Sequence, residues 1–159
     1  MAVTASVYCV AAWSAILASP CPPAWSGSSL GVLGSSVLPG IYQTAFRAEL
    51  YTLGFALHCA ARHGDRVRLW LDCLNVINKF TLVLQGGWKI SPNMPHADLW
   101  TWIEASVCTL GAEKIRVYKV PAHRRLENAV DRPDLWRMYR MYHNNAADWA
   151  AKLANQQRT

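Results

Sequence analysis

The first acidic residue in this chain is Glu49; no Asp or Glu occurs from Met1 through Arg47. Any site built from carboxylates therefore draws them from the rest of the chain. The five cysteines, Cys9, Cys21, Cys59, Cys73 and Cys108, form no C-x-x-C pair and no Cys/His set at zinc spacing, which removes the usual zinc modules. Their odd number and apolar surroundings point to reduced, buried thiols and an intracellular, reducing compartment. The apolar N-terminus, Ala2 to Ala24, has no basic leading segment and is interrupted by Pro20, Pro22 and Pro23, so strand and loop are expected there rather than a secretory signal. No run is long and clean enough for a membrane helix. Internal repeats and low-complexity tracts are also missing.

What remains is a chain of 159 residues, 52% hydrophobic and 16% charged, enough for one domain, 1–159, with a proper core. The net charge of +6 makes a polyanionic partner compatible with the composition.

The most informative stretch is Val67-Arg68-Leu69-Trp70-Leu71-Asp72. A short apolar run ends abruptly on an acid, and a helix-like pattern with Leu74, Ile77 and Phe80 follows. This reads as a buried strand that delivers Asp72 to its carboxyl end, where open α/β sheets place their chemistry. The plain structural alternative is that Asp72 caps the next helix.

Around it, Val7 to Leu17 and Leu30 to Leu38 read as two strands of an antiparallel hairpin. Gln43 to Arg62 is the clearest helix, with Phe46, Leu50, Leu53 and Leu57 on one stripe and Gly64 as its stop. Glu49 sits at the edge of that stripe. Helices are also expected over Leu74 to Leu84 and His96 to Leu110, a strand over Ile115 to Val120, and helices over Pro133 to Tyr142 and Asn145 to Ala154. This order predicts a mixed sheet with helices packed on it.

Four motifs then resemble, in order, those of the ribonuclease H type 1 family, particularly the domains attached to reverse transcriptases of retroelements. Thr44-Ala45-Phe46-Arg47-Ala48-Glu49-Leu50 resembles the family's Ala-Glu-Leu helix. Leu69-Trp70-Leu71-Asp72-Cys73 resembles its strand ending in Thr-Asp-Ser. Gly87-Trp88-Lys89 with Asp98-Leu99-Trp100 resembles its substrate-handling segment. Lys119-Val120-Pro121-Ala122-His123 and Asn144-Asn145-Ala146-Ala147-Asp148-Trp149-Ala150-Ala151 resemble its mobile His loop and last acidic helix. The resemblance is strongest over 7–154 and implies an RNase H-like α/β fold.

It also implies an activity, hydrolysis of the RNA strand of RNA–DNA hybrids with two Mg²⁺ or Mn²⁺ ions. Glu49, Asp72 and Asp148 would be the metal-binding catalytic acids, and His123 the proton-handling or product-release residue. Arg47, Trp88, Lys89, Arg124 and Arg125 are the candidate nucleic-acid contacts. A reverse-transcriptase polyprotein is the implied context, with no membrane partner. The chemistry agrees with the residue types, since hard oxygen ligands suit Mg²⁺ and paired cations clamp the attacking and leaving oxygens of a phosphodiester. Taken singly, each acid has a structural alternative: Glu49 as a solvated helix edge, Asp72 as a cap, Asp148 as an i,i+4 partner of Lys152. The family's first catalytic Asp, carried on its first strand, has no counterpart here. Ala11-Ala12-Trp13-Ser14-Ala15-Ile16 resembles the second strand, so the first strand is expected to be incomplete or absent. Two explanations follow: a chain that starts inside the domain, or a degenerate, inactive module that binds nucleic acid.

Overall fold

The structure, a computed structural model, describes residues 2–6, 12–18, 30–40, 44–64, 66–119, 149–154 and 156. Five strands form one sheet: β1 (Ala2–Ser6), β2 (Ala12–Ala18), β3 (Leu30–Val37), β4 (Val67–Leu71) and β5 (Ile115–Lys119). Their spatial order is β3-β2-β1-β4-β5. β1 pairs antiparallel with β2 and parallel with β4, β2 pairs antiparallel with β3, and β4 pairs parallel with β5. The β2–β3 register shifts between Ala15 and Ile16. A sheet mixed in this way needs helical crossovers between its parallel strands. They are supplied by α1 (Ala45–His63), α2 (Leu74–Leu84) and α3 (Ala97–Leu110).

The first strand, expected from sequence to be incomplete or absent, is present as a short strand of five residues. Ala2–Ser6 occupies the central place in the sheet, between β2 and β4. What this position lacks is an acid, not a strand. Of the expected strand over Val7 to Leu17, the part from Ala12 onward falls in β2, 7–11 lie outside the described residues, and β1 precedes the expected start. The reason is compositional. Ala2 to Leu17 contains no Gly, Pro, Asn or Asp to mark a turn, so a reversal inside a uniformly apolar run leaves no punctuation. The expected helix over Pro133 to Tyr142 lies outside the described residues.

The longest helix, α1, is well specified at both ends. Thr44 has extended backbone and its side chain accepts a hydrogen bond from the Arg47 N–H at 3.2 Å, an N-cap typically worth ~1 kcal/mol. Gly64 closes the helix at φ 70°, with its N–H on the Ala60 carbonyl at 2.9 Å, a left-handed backbone that favours glycine. Leu50, Leu53 and Leu57 are fully buried with Leu69 and Leu71 of β4, Phe80 of α2 and Trp100 and Ile103 of α3 in one core. Each such side chain contributes roughly 1.5–3 kcal/mol by leaving water.

α1 is buried over more than one stripe because a second neighbour, α3, lies against it. Gly54 of α1 faces Trp102 of α3 with no room to spare. A Cβ there would fall 2.5 Å from Cε3 and 2.7 Å from Cζ3 of Trp102. The Trp102 ring lies on this gap, tilted against Tyr51 at 5.5 Å and His58 at 6.0 Å between centroids.

Gly54→Ala is therefore expected to destabilise the fold by about 1–3 kcal/mol through overpacking, although alanine is the better helix former by about 1 kcal/mol. In a Trp102→Ala background the sign should reverse, leaving only the propensity gain. Urea unfolding of the four proteins of this cycle measures both values. An equal cost in the two backgrounds would show that Trp102 is not the obstacle.

Candidate functional site

Asp72 follows the last residue of β4, at the carboxyl end of the strand, and is half-buried. The N-cap position of α2 is Cys73, whose side chain makes no capping bond. The capping role that sequence allows for Asp72 is thus not the one it adopts. Its backbone carbonyl accepts a hydrogen bond from Lys119 Nζ at 3.1 Å, at the carboxyl end of β5. An ammonium group therefore stands beside the acid. Lys119 belongs to a motif visible in the sequence, but its reach to Asp72 depends on the β4–β5 pairing.

Glu49 lies on the buried side of α1 and is only 6% exposed. A solvated helix edge is excluded for it. It stands one residue before Leu50, which packs into the core shared with Leu71. The residues next to the two acids, Leu50 and Leu71, thus belong to one hydrophobic core. Asp148 and His123 lie outside the described residues, as do Arg124 and Arg125. The helical stretch over 149–154 follows directly on Asp148, with Ala150, Ala151 and Ala154 buried and Trp149 62% exposed. Among the described residues no three His, Cys, Asp or Glu side chains gather into a metal-binding group.

The neighbour of this edge on the other side is β1. Ala5 is in register with Leu71, and Thr4 with Trp70. The β1 residues level with Leu71 and Asp72 are therefore Ala5 and Ser6, and neither carries a carboxylate. The donors present, a buried Glu and a half-buried Asp, are oxygen ligands of the kind a hard divalent cation takes. By residue type they suit such an ion, and β1 adds no further carboxylate.

The expected nucleic-acid contacts are placed unevenly. The Arg47 guanidinium is held by both oxygens of Asp98, Nη1 to Oδ1 at 3.0 Å and Nη2 to Oδ2 at 2.5 Å. Trp88 packs edge-on against buried Trp100, with centroids 4.9 Å apart. Lys89 is exposed. Arg47 and Trp88 therefore tie the 87–98 segment to the body, and Lys89 is the member presented to solvent.

His96 was not visible as a site residue. It is the N-cap of α3 at φ 61°, a left-handed conformation uncommon outside glycine. Its ring meets Phe46 at 5.4 Å between centroids, and Nδ1 is 3.5 Å from Arg47 Nη1. Lys79 of α2 lies 5.3 Å over the same Phe46 ring. The start of α1, α2 and the start of α3 are thus joined at one corner. Burial, then the Arg47 and Lys79 charges, lower the His96 pKa below its usual 6.5, with Asp98 opposing. The hydrogen bond from Arg47 holds Asp98 below its usual 3.8 against the opposing effect of burial.

No family model matches the sequence, and no curated protein matches it. Solved structures do match the fold. The foamy viral protease–reverse transcriptase in complex with RNA/DNA hybrid aligns with a TM-score of 0.61 and 15% identity, over 96% of this chain and 19% of that one. The RNase H domain of the same virus group, solved in solution, gives 0.59 and 15% over 96% and 91%. RNase H1 from the archaeon Halobacterium salinarum gives 0.53 and 19% over 99% of each chain. The fold is therefore that of a ribonuclease H-like domain. The foamy viral and archaeal domains are among the solved proteins with which this chain shares it.

Both shifted groups make acid unfavourable. A histidine whose folded pKa is lowered gives stability that is complete above the unfolded value of 6.5 and is lost as pH falls from there toward the folded pKa. Stability measured by urea unfolding should therefore decline below pH 6.5. His96→Asn, which tolerates the left-handed backbone, should flatten that segment and keep the decline near and below pH 3.8 that belongs to Asp98. An unchanged profile in the variant would remove His96 as the source.

Proposed function

We propose that this domain binds RNA–DNA hybrid across the carboxyl edge of β4 and hydrolyses the RNA strand with a divalent cation, Mg²⁺ or Mn²⁺. The observation that carries this reading is the placement of Asp72 at that edge, uncapped and with buried Glu49 on the adjoining helix. Asp148 is the third acid of the proposed set and His123 its proton-handling group. Glu49 and Asp72 would hold the cation, which when bound supplies charge stabilisation at the scissile phosphate. The chain's own residues would do the rest. Lys119, beside Asp72, adds positive charge where a phosphodiester would lie, and Lys89 is free to meet the backbone. The structural likeness to a reverse transcriptase solved with an RNA/DNA hybrid supports both the ligand class and a polyprotein context.

A second reading has its own support. Ala5 and Ser6 stand where a further acid would flank Asp72, so the domain would bind hybrid without turning it over. Loss of a shared carboxylate raises the repulsion between paired cations and removes the two-ion arrangement.

Incubation of the chain with a labelled hybrid in Mg²⁺ and in Mn²⁺ separates these readings. On the first, the RNA strand is cut, and Asp72→Asn or Glu49→Gln lowers the rate at least 100-fold, a loss expected when a metal-holding group is removed. On the second, hybrid is retained without cleavage, and a carboxylate returned to β1, Ala5→Asp or Ser6→Asp tested separately, raises cleavage at least tenfold in one of the two. A chain that neither retains nor cuts hybrid refutes both.

A further inference from the structure

The opposite end of the same strands carries a different surface. β4 alternates strictly: Val67, Leu69 and Leu71 are buried, while Arg68 is exposed and Trp70 half-buried. β5 begins in the same way, with Ile115 buried and Arg116 exposed, and Tyr118 remains 41% exposed. The parallel register sets Arg68 level with Arg116 and Trp70 level with Tyr118. One face of this ribbon therefore shows two cations side by side, followed by two aromatic rings. The rings are stacked, 5.4 Å between centroids and 22° between planes. Arg66 and Lys114 extend the two rows beyond the strand starts. The four cations and Tyr118 line a cleft of about 390 Å³ with Val67 and Glu113.

Two arginines directly opposite in a sheet repel one another, and the surroundings do not relieve them. Arg116 donates only to the Ile115 and Glu113 carbonyls, at 3.0 and 3.4 Å, and Lys114 only to the Gly64 carbonyl at 3.3 Å. Arg68 has no carboxylate partner among the described residues, where the cleft contributes a single acid, Glu113. Such an arrangement calls for an external anion. The continuation of the cationic rows into stacked, accessible rings narrows the kind of anion. A polynucleotide strand offers phosphates at a regular spacing and bases with exposed faces, and only an unpaired strand can lay a base on an aromatic ring.

We propose that the β4–β5 face is a second nucleic-acid site, which takes a single strand with phosphates on Arg68, Arg116 and Lys114 and a base against Tyr118. Its cationic end is set apart from the acidic edge, toward which Tyr118, the residue before Lys119, leads. Arg68 lies four residues before Asp72, about 13 Å along the strand at its usual rise. A hybrid engaged at the acidic edge could thus have its unpaired overhang held on this face.

The test is fluorescence anisotropy of a labelled twelve-nucleotide oligothymidine with the full chain over a range of salt. Arg68→Ala/Arg116→Ala should weaken binding about tenfold and lower the log–log salt slope by about 1.4, the value for two phosphate contacts on a single strand. Tyr118→Ala should weaken binding about fivefold or more with the slope unchanged, as loss of stacking requires. Arg68→Lys/Arg116→Lys should keep the slope; Arg68→Gln/Arg116→Gln, which should lower it as the alanine pair does, replaces that pair if thermal melting shows it to be unfolded. Unchanged binding in the charge-removing pair overturns the site. Tyr118→Ala without effect, or a blunt duplex bound as tightly as the strand, overturns its assignment to single strands. Because oligothymidine is not a hybrid, failure of hybrid cleavage leaves this measurement standing on its own.

Discussion

The close packing of α1 against α3 at Gly54 is the contact on which the geometry of this domain depends. α1 is the helix that carries Glu49, and it is confined on one side by the sheet and on the other by the Trp102 ring. Protein interiors are packed densely enough that such a helix cannot slide by even part of a turn without opening voids. The position of Glu49 relative to the end of β4 is therefore set by apolar contacts, many of them remote from any polar chemistry. Phe46, Arg47, Lys79, His96 and Asp98 add a second restraint at the start of the helix. With Asp98 61% exposed, the ion pair contributes at most about 1 kcal/mol; its part is orientation of the 87–98 segment.

The sheet distributes charge according to strand direction. β1, β4 and β5 run parallel, so their carboxyl ends share one edge and their starts share the other. Asp72 and Lys119 stand at the first edge, and Arg68, Lys114 and Arg116 gather toward the second. A chain of net charge +6 is thus not uniformly basic. Asp72 stands at one end of the parallel strands, and a cationic cluster with the single acid Glu113 lies toward the other.

The single place where local composition and architecture disagree is β1. A strand in the middle of a sheet, paired on both sides, is a position that delivers side chains to a site. Here its residues level with the acidic edge are Ala5 and Ser6. The fold retains the strand and the sequence omits the acid, which separates architecture from chemistry more sharply than the sequence resemblance does.

Much of this was legible from the residues. β4, α2 and α3 fall within a residue of their expected bounds, because strict burial alternation and strong apolar stripes ended by Gly86 or Gly111 leave little freedom. The motifs around Glu49 and Asp72 were legible for the same reason: each is local. The strand Ala2–Ser6 was not, since a small, apolar strand without turn residues after it has no pattern of its own and is defined by its two neighbours. The partners of Arg47, Trp88 and His96 were also out of reach, because each contact spans elements far apart in the chain. Sequence by itself thus determined the elements and the acids, which depend on periodicity and residue type. Tertiary structure alone decided which side chains were spent on packing, which edge lacked its acid, and that Arg68 and Arg116 stand side by side, because register between strands is a property of the assembled sheet.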